Sequence, residues 1–160
     1  MRRSVSPLAW FALAGAVIAA DQLTKLWAEQ ALADGWIRVC SFFNLVLLYN
    51  TGSAFSLLAD AGGWQKVVFS LFALAVSAVM AVMILKTRSS LLMNAACSLV
   101  MAGAIGNVID RLRAGAVTDF LDFHIGALHW PAFNVADMAI VVGVALIAWC
   151  EFKKPSQEKR

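Results

Sequence analysis

The sequence predicts an all-α membrane protein: four transmembrane helices with a small extracytoplasmic β-sheet cradle and a short interfacial helix. Three observations lead there. The chain is 61% hydrophobic and 14% charged, whereas soluble domains run at roughly 45–50% apolar and about 25% charged. A chain of 160 residues has a large surface for its volume, and so few charges cannot solvate it in water; its mean hydropathy of +0.76 fits solvation by lipid. Second, four segments approach the roughly 20 apolar residues that cross a bilayer at about 1.5 Å each. Third, two stretches between them are rich in β-branched and aromatic residues and too broken to span. The whole chain, 1–160, reads as one polytopic domain. This composition excludes a disordered protein, a nucleic-acid-binding module and an ordinary cytosolic enzyme.

The first span covers about 4–27. Residues 4–20 are uncharged, and DQLTKLW keeps helical character with no turn residue before Gly35, so the helix continues through Asp21 and Lys25. Arg2, Arg3, the apolar run and the small Ala19 and Ala20 also resemble a cleavable leader. The unbroken continuation, and an even span count, favour a retained helix. The outer segment 29–66 follows. Within it, WIRVCSFFNLVLLYN at 36–50 reads as strand, and 53–59 as a short interfacial helix. Spans two and three, 67–85 and 91–109, carry no charge. In the outer segment 110–131, residues 117–130 read strand, turn, strand around Gly126. Span four, 132–150, carries one charge, Asp137.

Basic residues orient the bundle. With the N-terminus cytoplasmic, that face holds Arg2, Arg3, Lys86, Arg88, Lys153, Lys154, Lys159 and Arg160, against Arg38, Lys66, Arg111, Arg113 and the span-end Lys25 outside. Both termini are therefore expected in the cytoplasm. The net charge of +3 follows from this bias and calls for no nucleic acid. Cys40, Cys97 and Cys150 are odd in number, far apart and without a CxxC, so they read as small apolar residues rather than disulfides or metal ligands.

The polar residues of the spans gather at one level. Asp21 lies near the outer end of span one, Asn107, Asp110 and Arg111 close span three, and Asn134 and Asp137 open span four. A buried polar group without a partner costs several kcal/mol, so this convergence has a purpose. Helical spacing puts Asn134 with Asp137, Asn107 with Asp110 and Arg111, and Asp21 with Lys25 on shared faces. With span four starting near residue 132, Asp137 sits about 8 Å along the helix. Asp119, in the outer strand VTDFLDF, comes directly before the loop into span four. Two carboxyls sharing a poorly solvated site cannot easily both ionise; one keeps its proton, and the pair can work as acid and base on a water without metal or cofactor.

On residues alone, other readings stay open. The polar cluster can be glue between helices, with Arg111 as compensating partner of Asp21. Membrane carboxylates can also relay protons in a transporter, although here they occupy one leaflet only. Gly103 and Gly106 read as packing positions. Asp34, Asp60 and Asp122 read as solvated outer charges, and His124 and His129 as surface histidines. There is no HExxH and no GxSxG, and Ser53 with Lys66 is a poor Ser–Lys pair because both fall outside the spans.

Five strings then come together: DQLTK at 21–25, YNTGSAFSLL at 49–58, GAIGNVIDRL at 103–112, VTDF at 117–120 and PAFNVADMAI at 131–140. In this order, and with four spans, the chain resembles the bacterial lipoprotein signal peptidases, the signal peptidase II family, over nearly its whole length. The resemblance implies an intramembrane aspartyl endopeptidase with Asp119 and Asp137 as catalytic dyad. It makes Asp21, Asn50, Gly52, Asn107, Asp110, Arg111, Asn134 and Ala136 the supporting and substrate-contacting set, to which Lys25 of DQLTK is added. It implies a prolipoprotein substrate bearing diacylglyceryl on its lipobox cysteine, cut just before that cysteine. The expected location is the bacterial cytoplasmic (inner) membrane, with the site at the outer leaflet. Membrane lipid is an expected partner; no cofactor, metal, nucleic acid or obligate protein partner is expected.

Overall fold

The computed structural model describes residues 5–52, 63–86 and 90–153. Helix α1, Pro7–Ala31, starts where the Ser6 hydroxyl accepts the Leu8 N–H at 3.3 Å and Pro7 occupies the first turn, which has no use for its missing N–H. Helix α2 is Trp64–Lys86. Helix α3, Leu91–Arg113, opens on Ser90, whose hydroxyl accepts the Met93 N–H at 3.3 Å. It stops at Gly115, whose φ of +77° suits the left-handed position that ends a helix. Helix α4 is Val135–Phe152. All four are long and apolar enough to cross a membrane.

The ends differ from those expected. Helix α3 continues four residues past 109, so Asp110 and Arg111 are helical; polarity alone does not stop a helix, and Gly115 does. Helix α4 begins three residues later than expected, because Phe133 is taken up by a bridge to Leu121. Asp137 is therefore the third helical residue, about 3 Å along the axis rather than 8 Å.

Helix α3 is central. In its most apolar window 67% is buried, against 11–17% for the other three helices. Helices α1, α2 and α4 all pack on it. Ala14 of α1, Ile84 of α2 and Met93, Cys97 and Met101 of α3 form the apolar core. Leu71, Phe72 and Val141 face outward, as lipid-solvated side chains do. Small residues let α3 and α4 approach closely. A Cβ at Gly103 would lie 2.2 Å from the Ala136 carbonyl oxygen, and one at Gly106 would lie 2.6 Å from Asp21 Oδ2. Both glycines are packing positions, as expected, and Gly106 also makes room for a charged side chain.

The sheet has four antiparallel strands in the order β1-β2-β3-β4: Ile37–Arg38, Phe43–Asn50, Val117–Ile125 and Leu128–His129. Gly126, φ +60°, makes the expected β3–β4 turn. Strand β3 starts three residues after α3 and leads into α4, so the sheet is held at one end of the bundle. Phe120 packs there against Ala28 and Leu32. A register irregularity between Leu45 and Leu48 precedes the pairing of Leu48 with Asp119. The expected short helix at 53–59, with Asp60, lies outside the described residues.

Candidate active site

The site is built on the N-terminus of α4, where a helix leaves its first N–H groups unpaired and concentrates positive partial charge. Asn134 and Asp137 close a capping box there. The Asp137 N–H donates to Asn134 Oδ1 at 2.9 Å, and the Asn134 N–H donates to Asp137 Oδ2 at 3.3 Å. Asn134 Nδ2 donates to Asp119 Oδ1 at 2.7 Å. A single asparagine thus holds both carboxyls. Asn107 Nδ2 donates to Asp137 Oδ1 at 2.8 Å, and Asn50 Nδ2 donates to Asp119 Oδ2 at 3.3 Å.

Beneath them lies a dry ionic network. Lys25 is fully buried, and its ammonium reaches Asp110 Oδ2 at 2.7 Å, Asp21 Oδ2 at 2.9 Å and Asn107 Oδ1 at 3.1 Å. That last contact determines which way the Asn107 amide points. With Oδ1 on a cation, the Nδ2 donor is left for Asp137. Asp21 Oδ1 also accepts the Ala136 N–H at 2.8 Å, so α1 caps α4 across the helix interface.

The expected pairing of Asp21 with Arg111 does not occur. Lys25, one turn away on the same helix, takes Asp21, while the rotation of α3 turns Asp110 rather than Arg111 toward α1. Arg111 instead donates to the carbonyls of Asn107 at 3.3 Å and Gly52 at 3.4 Å and stands over the Phe69 ring. The Gly52 N–H donates to Asn50 Oδ1 at 3.0 Å, which ties the end of β2 to the Asp119 side. Asp122 also departs from expectation. It is buried, accepting from Asn44 Nδ2 at 3.0 Å and lying 2.8 Å from His129 Nδ1. It is on the same face of β3 as Phe120, two residues earlier, which the alternation of a strand puts inward. Asp34 is exposed, as expected.

Every site residue expected from the sequence is drawn into this assembly. Four others were missed, Gln22, Thr118, Glu29 and Arg113. Gln22 Nε2 donates to Asp110 Oδ1 at 3.0 Å and Asp21 Oδ2 at 3.1 Å. Thr118 is gripped from three helices: its N–H donates to Asp110 Oδ2 at 3.2 Å, its hydroxyl to Glu29 Oε1 at 2.9 Å, and its carbonyl accepts from Asn134 Nδ2 at 3.3 Å. Arg113 clamps Glu29 from the other side. Gln22, Lys25 and Glu29 follow i, i+3, i+7 spacing, and that polar stripe was the available signal.

Burial pushes the Asp119 carboxyl up to about 7, with the charge of Asp137 adding to the rise and the Asn50 and Asn134 hydrogen bonds opposing it. The unfolded value is about 3.9. Folding therefore takes up a proton on Asp119 between these values. The stability this group contributes is intact below about pH 4 and is lost as pH rises to about 7, a loss of order 4 kcal/mol. Asp119→Asn lacks that titration. In thermal unfolding, its stability relative to the parent should rise steadily from pH 4 to pH 7 and level off above. A relative stability that stays flat over that interval rules out the shifted carboxyl.

Two solved bacterial membrane-enzyme structures share this fold. One superposes with a TM-score of 0.81 at 30% identity, covering 95% of this chain and 92% of the other; the second gives 0.81 at 29%, covering 97% and 99%. Four spans with acidic and basic side chains packed against one another at one end, in the fold of those structures, define a multi-pass membrane enzyme. The family profile described as "Signal peptidase (SPase) II" matches residues 13–153. The lipoprotein signal peptidase of Chromobacterium violaceum is 50% identical over 151 residues, covering 92% of this chain and 93% of that protein. The one from Paraburkholderia phymatum is 47% identical over 146 residues, covering 91% and 88%. The chain belongs to the signal peptidase II family and is a protease of that kind.

Proposed function

We propose that the chain, as one polytopic domain, is an intramembrane aspartyl endopeptidase with Asp119 and Asp137 as its dyad. Its substrates are prolipoproteins carrying diacylglyceryl on the lipobox cysteine, and it cuts just before that cysteine to release the signal peptide. The observation that carries the reading is the bridging of both carboxyls by Asn134. One carboxyl activates a water while the other protonates the scissile carbonyl oxygen, giving a tetrahedral intermediate. The proton that Asp119 retains to about pH 7 provides the acid form.

The supporting residues act through position. Lys25, Asp21 and Asp110 set Asn107, and Asn107 sets Asp137. Asn50 and Gly52 hold the Asp119 side, and Ala136 keeps α4 close to α3. Arg111 Nε is buried with no hydrogen-bond partner among the described residues, a donor left for substrate backbone in a site with little water. A transporter reading has less support: among the described residues the buried acidic and basic side chains, Asp21, Lys25, Asp110, Asp119 and Asp122, are all at the sheet end of the bundle. The test is mass spectrometry of a diacylated lipobox peptide after incubation with the purified protein. The expected products are the signal fragment and a peptide starting at the lipidated cysteine. Scission elsewhere, or equal turnover of the unlipidated peptide, refutes the assignment.

The proposed setting is the bacterial cytoplasmic (inner) membrane with both termini cytoplasmic. The dyad then meets the scissile bond at the outer leaflet while the substrate's acyl chains stay in the bilayer. Reporter fusions after Arg88 and Arg160 should read cytoplasmic, and a fusion at 59–63 external. A cytoplasmic signal from the third fusion reverses the orientation and moves the site to the wrong face.

A further inference from the structure

The sheet carries a second polar cluster, away from Asp119 and Asp137. Arg38 on β1 pairs in register with Asn44 on β2, Asn44 with Asp122 on β3, and His124 on β3 with His129 on β4. Residues paired across strands share a face, so all four strands contribute to one patch. With Trp36 these side chains line an open cavity of about 450 Å³.

Its hydrogen bonding is unbalanced. His124 Nδ1 lies 3.2 Å from the Gly126 carbonyl oxygen, which only accepts, so Nδ1 carries the hydrogen and Nε2 is an acceptor. That Nε2 is buried with no partner among the described residues. Asn44, only 7% exposed, uses its Nδ2 on Asp122; its Oδ1 is likewise buried without a partner among the described residues. Burial pushes the Asp122 carboxyl up, but the bonds from His129 and Asn44 outweigh it and hold the group below the ordinary carboxylate range, so it is ionised at neutral pH. Two orphaned acceptors therefore stand beside a negative charge. Arg38 puts a guanidinium on the same face at the opposite edge.

We propose that this cavity binds the head group of an aminophospholipid, its primary ammonium on Asn44 Oδ1, His124 Nε2 and the Asp122 carboxylate, and its phosphate toward Arg38. A primary ammonium brings three N–H donors and a positive charge, the complement of what the cluster lacks. A guanidinium is matched to phosphate. Strands stand about 4.8 Å apart, so Arg38 and Asp122 are about 10 Å apart at the backbone, a gap that the arginine side chain and a phosphoethanolamine group fill together. Trp36 is exposed at the patch, as aromatic side chains at head-group level are. A metal ion is a poorer match: among the described residues no three His, Cys, Asp or Glu side chains are placed to hold one. The diacylglyceryl group of the proposed substrate has no phosphate, so the occupant is a separate lipid. The inference rests on the membrane placement given under the proposed function and is independent of the dyad.

The test compares lipids of identical acyl chains on the full-length protein by native mass spectrometry. The series runs from phosphatidylethanolamine through its N-methyl and N,N-dimethyl forms to phosphatidylcholine, removing one N–H donor at a time. Retention should fall stepwise, to about tenfold weaker for the choline lipid. His124→Phe should bring the two end members close to parity. Arg38→Gln should weaken both while keeping their ratio. Both variants should cleave the lipobox peptide at the parental rate in phosphatidylcholine nanodiscs, so that loss of lipid selectivity and loss of peptidase function are read separately. Equal retention across the series overturns the proposal, and so does an ethanolamine preference that survives His124→Phe.

Discussion

Asp119→Asn and Asp137→Asn should each lower cleavage of a diacylated lipobox peptide by at least about 10³-fold while leaving its binding nearly unchanged. Asparagine keeps the volume and one acceptor of aspartate. At position 119 that acceptor can still meet Asn134 Nδ2, now 2.7 Å from Asp119 Oδ1, and at 137 it can still meet Asn107 Nδ2, now 2.8 Å from Asp137 Oδ1. Shape and most of the local bonding survive, but a carboxamide cannot take up and return a proton. The double variant should be no slower than either single one, because the two carboxyls act as one unit. Measured under saturating substrate, the loss belongs in kcat rather than KM. Either asparagine variant retaining a tenth of parental kcat would falsify the dyad.

Lys25→Met should destabilise the protein by about 3–5 kcal/mol, because it strands two buried carboxylates on one side of the bundle. Methionine fills much of the same volume, so packing changes little. What disappears is the cation 2.7 Å from Asp110 and 2.9 Å from Asp21. For a chain of this size the loss corresponds to a fall in Tm of about 10 °C. Adding Asp21→Asn and Asp110→Asn to Lys25→Met should recover much of that stability, since no uncompensated charge remains. Cleavage should stay low in the triple variant, because nothing then holds Asn107 Oδ1 away from Asp137. Recovery of Tm together with recovery of cleavage would show that Lys25 is needed only for folding. A Lys25→Met protein within about 1 kcal/mol of the parent would show that Asp21 and Asp110 do not depend on the Lys25 ammonium.

Much of this was legible in one dimension, because lipid solvation is written residue by residue. An uncharged run of 19 residues at 67–85 has few soluble explanations. Strand alternation around Asp119 and a glycine turn at 126 are equally local. Helix ends were harder. Hydropathy marks where lipid stops, whereas α3 runs on through Asp110 to Arg113 until Gly115 permits a left-handed stop. Asp122 was misjudged for a related reason: a carboxylate in an outer segment looks solvated until its neighbours across the sheet, Asn44 and His129, are known.

Composition and spacing were thus enough to establish a four-span bundle, a sheet at one end of it and a belt of carboxylates and carboxamides at one depth. They were also enough, through five strings in order, for the family. They did not reveal who pairs with whom. Asp21 and Lys25 meet either Asp110 or Arg111 according to how α1 and α3 are rotated against each other, and one residue of rotation is about 100°. Close packing, of Gly106 against Asp21 on α1 and of Gly103 against Ala136 on α4, sets how both helices are turned on α3. It brings Lys25 between Asp21 and Asp110, turns the Asn107 amide toward Asp137, and lets Asn134 reach Asp119 on the sheet. Charge balance in a dry interior depends on contacts of a few ångströms between segments far apart in the chain, and no local pattern encodes those.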